Sequence, residues 1–327
     1  MSVEMLRVSF PVVAKARALV GSPTREAVFL RVNDGVCAGF GECAPLAGMH
    51  HESLDDAMTA LEEWSDGALE LEELPPCAAF AASCAVETME GFGQQAVRNA
   101  AVAHLFVRDG NAHDDELFFE LRDARVVKVK IGRASAAFEM QLLRTLLREL
   151  PHIQLRLDGN RSLTRDECME RVHGLDAARI EYLEDPLRNP HELASLAHAT
   201  GIRIALDETV LDDSIEAIAL RESLARDGCV AAWVLRMSRL GSLESVRTRA
   251  AQAASLGADA VLSTAFESSY SLRVAVHLAA SIPNARRAHG LGTAWVLAND
   301  SCAPALIEDG AIAGTPLPIP FAQAWES

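Results

Sequence analysis

The rhythm of apolar and polar positions changes near residue 100. Before it, Val28-Phe29-Leu30-Arg31-Val32 carries a strand-like alternation, and Asn33-Asp34-Gly35 supplies a turn suited to a hairpin. A second run, Gly39-Phe40-Gly41-Glu42-Cys43-Ala44-Pro45, precedes an acidic helical stretch from Ser53 to Glu73. Pro75-Pro76 breaks the chain, and an alanine-rich helix continues through about Met89. These signals predict a small α+β unit.

From about residue 100 to 290, short apolar runs alternate with amphipathic segments such as 136–150. The runs are VVKVKI (126–131), IQLRLD (153–158), IEYLED (180–185), IRIALD (202–207), AAWVLR (231–236) and DAVLS (259–263). Their polar endpoints, Lys130, Asp158, Glu184, Asp207, Arg236 and Ser263, lie 23 to 29 residues apart, room for one strand and one helix each time. Such alternation predicts parallel strands with crossover helices. An open doubly wound sheet and a closed (β/α)8 barrel both fit. No GxGxxG fingerprint follows a strand, and a polar group closes nearly every one. A barrel gathers those groups at one mouth, so the expected class is α/β with a (β/α)8-type barrel.

Composition narrows the function classes. The chain has 327 residues, is 50% hydrophobic and carries a formal charge of -16. That charge leaves no wide basic face for a nucleic-acid backbone. The N-terminus lacks a long apolar h-region, and no stretch reaches the ~18–20 apolar residues that span a bilayer. Seven scattered cysteines without a CxxC pair read as reduced, buried and structural. The expected setting is the cytoplasm, and the expected partner is a small molecule.

Alternation puts Lys128 and Lys130 on one strand face, opposite Val127, Val129 and Ile131. Arg156 and Asp158 likewise share a face, opposite Leu155 and Leu157. An edge strand with solvated lysines would explain the first pair taken alone. Within a series of carboxylate-tipped strands, inward charges are costly unless they bind something. Asp158, Glu184 and Asp207 end three successive strands, and three hard oxygen donors suit Mg²⁺, with Mn²⁺ as a substitute. Helix capping competes as an explanation for any one of them, but glutamate caps poorly. A lysine close to a second lysine and a divalent cation loses its proton more readily and can act as a general base. Removal of a proton next to a carboxylate is the chemistry this set suits.

These segments resemble the enolase superfamily and, within it, the o-succinylbenzoate synthases of the menaquinone pathway. GFGECAPLAGMHHESL (39–54) is similar to that family's capping loop. VKVKIG, LRLDGNRSLT, YLEDP, ALDET, LSTAFESSYSL and HGLGT follow in the family's order over nearly the whole chain. The resemblance implies an enolase-like fold, with an α+β capping domain over 1–95, a barrel over 96–299, and a segment 300–327 that returns to the cap. It implies Lys130 as the base with Lys128 beside it, and Asp158, Glu184 and Asp207 as ligands of Mg²⁺. It also implies substrate-binding roles for Arg156, Ser263 and Gly290, the last two at a succinyl carboxylate. The implied reaction is a syn elimination of water from 2-succinyl-6-hydroxy-2,4-cyclohexadiene-1-carboxylate.

One position departs from the family, which carries a lysine on the sixth strand where this chain has Arg236. A guanidinium stays protonated, so Arg236 cannot be a second base. Two-base racemisation or epimerisation is thereby disfavoured, whereas a one-base elimination asks only for positive charge on the far face. The alternatives are another one-base elimination of the superfamily, such as a sugar-acid dehydratase, and a non-catalytic barrel. The former usually shows a His-Asp pair on the later strands, which is missing here. A barrel without chemistry has no need for such inward charges. His50 and His51 fall in the expected lid loop, after Gly48, where contact with substrate is one reading and solvation, the commoner state of loop histidines, is the expected one.

Overall fold

Strands β1 (Ser2–Pro11), β2 (Thr24–Asn33) and β3 (Ala38–Cys43) form an antiparallel sheet in that order. The computed structural model describes residues 1–107 and 121–325, so the last two residues of the expected 300–327 segment lie outside it. The β2–β3 turn falls where the sequence signals it. Asp34 Oδ1 accepts hydrogen bonds from the Val36 and Cys37 amides at 2.8 and 2.7 Å, and Gly35 takes a φ of 93°.

The acidic stretch is not one helix. Ser53 and Asp56 close a reciprocal capping box on a helix spanning Leu54–Ser65, which ends before Gly67 (φ 74°). Beyond it only a short 3-10 turn, Leu71–Glu73, forms. The Pro76–Met89 helix is buried along most of its length and lies against β3. A Cβ on Gly39 or Gly41 would run into the Ala85 or Ala81 carbonyl, so glycine on the strand lets the two backbones meet.

The second sheet contains seven parallel strands in sequential order: β5 (His104–Phe106), β6 (Val126–Lys130), β7 (Gln154–Asp158), β8 (Ile180–Glu184), β9 (Ile204–Leu206), β10 (Val230–Arg236) and β11 (Asp259–Ser263). Six match the apolar runs, and β5 has no counterpart among them. Helices on the outer side cover the apolar face, where Val127, Val129, Leu155 and Leu157 are buried. Among the described residues an eighth strand does not form. Instead, isolated parallel bridges Ser263↔Gly290 and Val102↔His289 join the segment around 289–290 to both ends of the sheet.

A small antiparallel sheet joins β4 (Ala100–Ala101), β12 (Ile307–Glu308) and β13 (Ala311–Ile312). Beyond it the chain reaches the first sheet. Phe321 stacks on Phe10 (6.0 Å) and meets Phe29 edge-on (5.1 Å), and Trp325 lies 5.9 Å from Phe40. Cys37 is exposed and Cys302 partly so, unlike the five buried thiols and contrary to the expectation that all are buried. No described helix is long and apolar enough to cross a membrane.

Candidate active site

Parallel pairing in register turns the sequence endpoints into lateral rows. Lys130 pairs with Asp158, and Asp158 with Glu184; one layer deeper, Lys128 pairs with Arg156, and Arg156 with Tyr182. Further round, Arg236 pairs with Ser263, which bridges to Gly290. Side chains two residues apart share a face, so both rows open into one cavity of about 500 Å³. Lys128, Lys130, Arg156, Asp158, Glu184, Arg236, Ser263 and Gly290 all line it. Asp207 does not; it lies buried behind Arg236. At Gly290 an added Cβ would sit 2.9 Å from Ser263 Oγ, so that corner admits only glycine without a shift.

The two lysines are driven in opposite directions. Burial disfavours the Lys128 ammonium, but Asp158 and Glu184 outweigh it and raise its proton affinity. Its Nζ lies 2.7 Å from Glu184 Oε1 and 2.8 Å from Asp158 Oδ2. Lys130 has no such pair of acids. Burial lowers its pKa, and Lys128, Arg133 and Arg236 add to the effect against the attraction of Asp158. Its Nζ donates to Asn160 Oδ1 at 3.3 Å. Lys128 is thus a fixed charge, and Lys130 is the one poised to give up its proton.

The carboxylates are buried and crowded. Burial and the neighbouring Asp158 and Asp207 push Glu184 up to about 8, despite the Lys128 charge. Asp158 is held below its ordinary value, with Lys128 and Lys130 outweighing burial. Asp207 is gripped by Arg236, whose Nε lies 2.9 Å from both carboxylate oxygens and whose Nη2 also pairs with Oδ2. The donor chemistry fits a hard divalent cation at Asp158 and Glu184, where Asp158 Oδ2 accepts no aligned hydrogen bond among the described residues. The third corner does not fit as it stands. Among the described residues no three acid, imidazole or thiol groups converge closely enough to hold a metal.

Arg156 is fully buried for a reason visible in the strand register. The pairing of β7 with β8 skips Glu181 between Leu155↔Ile180 and Arg156↔Tyr182. Glu181 Oε2 then accepts from Arg156 Nε at 2.6 Å, while Glu181 Oε1 takes Arg287 Nη1 at 2.7 Å. The guanidinium also lies over the Tyr182 ring, 4.7 Å from its centre. Arg156 Nη2 remains without a hydrogen-bond partner among the described residues.

The loop expected as a lid is docked on the site. Gly48 and Met49 line the cavity, and Met49 Sδ lies 3.7 Å from Arg236 Nη1. His50 is half-buried and hydrogen-bonded on both ring nitrogens rather than freely solvated as expected; His51 is exposed. His50 Nδ1 accepts from the Leu46 amide at 3.0 Å, which leaves Nε2 to donate to Ser238 Oγ at 3.1 Å. Ser238 passes the chain to buried Glu267 at 2.7 Å. Sequence reasoning also missed Glu208, which lines the cavity with a buried Oε2 that has no hydrogen-bond partner among the described residues and is pushed up to about 7 by burial and by Asp207 and Asp185. The only sequence signal for it was its place next to Asp207.

Residues 118–318 match the family described as "Enolase C-terminal domain-like", and residues 5–89 match "MenC, N-terminal domain". An o-succinylbenzoate synthase of Citrobacter koseri is 34% identical over 266 residues, which cover 79% of each chain. Among solved structures, the L-Ala-D/L-Glu epimerase of Bacillus subtilis superposes with a TM-score of 0.78 at 18% identity, covering 98% of this chain and 97% of its own. Muconate lactonizing enzyme of Pseudomonas putida gives 0.77 at 18% identity, covering 99% and 98%. At such identities the structures speak for the fold alone, whereas the family matches and the Citrobacter relative speak for descent. The chain belongs to the enolase superfamily, as a lyase, and within it to the o-succinylbenzoate synthase family.

Proposed function

We propose that the protein is an o-succinylbenzoate synthase, eliminating water from 2-succinyl-6-hydroxy-2,4-cyclohexadiene-1-carboxylate with one lysine as the base. The observation that carries this reading is the split between Lys128 and Lys130, two residues apart on one wall of the cavity and shifted in opposite directions. Neutral Lys130 takes the proton from the carbon next to the substrate carboxylate. The electron pair left behind forms the new ring double bond as the carbon–oxygen bond to the hydroxyl breaks. The Lys130 ammonium then returns its proton to the departing hydroxide on the same face, so water leaves and no net charge is gained.

Mg²⁺ held by Asp158, Glu184 and Asp207 would supply positive charge beside the substrate carboxylate as the proton leaves. Lys128 bridges two of those acids, at 2.7 Å from Glu184 and 2.8 Å from Asp158, and its charge favours their ionised forms against burial. Arg156, Ser263 and Gly290 are the proposed substrate-binding residues, with the last two at the succinyl carboxylate. Arg236 puts a permanent cation on the wall opposite Lys130 and offers no second base, which is why epimerisation, the activity of one structural neighbour, is not the reading. We further read residues 1–95 with 300–327 as the cap, 96–299 as the catalytic unit, and the 289–290 segment as the closure of a (β/α)8-type barrel. The aromatic contacts of Phe321 and Trp325 with the first sheet support that division.

The test is an ultraviolet assay with freshly made cyclohexadiene substrate, following loss of the diene as the aromatic product forms. Turnover with Mg²⁺ that EDTA abolishes is the expected result. Folded protein that binds Mg²⁺ yet shows no turnover would refute the synthase assignment.

A further inference from the structure

The third acid of the expected metal set is already occupied by a cation belonging to the chain. Asp207 is 1% exposed, and among the described residues the only side chain that hydrogen-bonds its carboxylate is Arg236, through Nε and Nη2. A fork of this kind satisfies a carboxylate in geometry as well as in charge, which a single ammonium does not. Lys128 plays a looser part between Asp158 and Glu184, where one Asp158 oxygen still lacks an aligned donor. Arg236 thus occupies the very oxygens that the third corner of the expected set would offer.

We propose that Arg236 is an internal competitor of the divalent cation, and that its release of Asp207 is a required part of metal binding. The inference rests on the metal-dependent reading above and goes beyond it by giving the sixth-strand arginine a role in metal affinity. Arg236 has somewhere to go. Its Nη1 already reaches Met49 Sδ, a weak acceptor on the docked loop, and its side chain lines the cavity. When a metal takes the Asp207 oxygens, the guanidinium is left to face the cavity and the loop. The metal affinity of this chain is then the affinity of its three acids reduced by the strength of the Arg236–Asp207 pair.

Mn²⁺ binding to the metal-free full chain, measured by electron paramagnetic resonance, tests this for the wild type, Arg236→Lys and Arg236→Met. A charge-assisted hydrogen-bonded pair is enough to cost a competing ligand about tenfold or more in affinity. The expected order is Met tightest, Lys intermediate and Arg weakest, with Met at least about tenfold tighter than wild type. A second readout uses the wild-type protein and does not depend on a variant folding. The Arg236 Nε–H resonance, assigned by its loss in Arg236→Lys, is expected to shift as Mg²⁺ is titrated. Equal affinities in all three proteins, or a resonance that stays fixed while Mg²⁺ binds, overturns the competition and leaves the synthase reading standing. Failure of all three to bind either metal overturns both.

Discussion

Two lysines separated by one valine have different fates because of what lies across the neighbouring strands. Lys128 is bracketed by two acids, while Lys130 meets a neutral asparagine and lies among other cations. Lys130→Ala is expected to lower kcat by roughly 10² to 10⁴-fold, the usual worth of a positioned base. Because burial, Lys128, Arg133 and Arg236 lower its pKa, activity should rise with pH through an ionisation below the ordinary lysine value of 10.5. A pH–rate profile checks this; a limb at or above the ordinary value would remove Lys130 as the base. The spacing of the pair was readable from the alternation alone. The difference between the lysines was not, since it depends on Asp158 and Glu184 from two other strands and on Asn160 from the turn after β7.

The glycines of β3 do their work against one helix. Gly41 faces the Ala81 carbonyl of the Pro76–Met89 helix so closely that no Cβ fits. The contact is backbone to backbone and cannot be relieved by a rotamer change. Gly41→Ala is therefore expected to cost about 1–3 kcal/mol, the usual penalty of overpacking, and more if the strand must move. Urea unfolding would show it as a lower midpoint with an unchanged slope; an unchanged midpoint would mean that the helix yields freely. The sequence showed both elements at nearly their true limits, because glycine, proline and alanine mark them strongly. It misjudged the Ser53–Glu73 stretch, where charge continues past the point at which Gly67 ends the helix.

The first sheet is fastened by a buried acid to the helix Ser269–Ser281 that follows β11. Glu42 of β3 accepts hydrogen bonds from the Ser268 amide at 2.9 Å and from the Ser268 and Ser271 hydroxyls at 2.7 Å. Burial raises its pKa from 4.5 to about 7, against the opposing pull of those donors. The folded chain therefore holds this proton more tightly than the unfolded one does. Its contribution to stability is complete below about 4.5 and is lost as pH rises through about 7, a change of about 3 kcal/mol. Glu42→Gln keeps an acceptor for the Ser268 amide and removes the titration. The stability difference between Glu42→Gln and wild type should therefore grow in favour of the glutamine variant from pH 5 to pH 8. Denaturant unfolding at both pH values decides it, and a constant difference would mean that Glu42 does not titrate in this range.

What the sequence determined by itself was periodic and local: the repeat of apolar runs, the acid or base that ends each, and the turn and breaker residues of the first 90 positions. Those features follow from strand alternation and from the special backbone freedom of glycine and proline, so they need no knowledge of what packs on what. Three matters rested on contacts between residues far apart in the chain, and only the tertiary structure decided them. The skipped Glu181 buries Arg156 in an ion pair, His50 of the loop hydrogen-bonds Ser238, and Arg236 holds Asp207. In each case the partner lies on a different strand or loop, and the energy of a buried charge depends on that partner rather than on its neighbours in sequence.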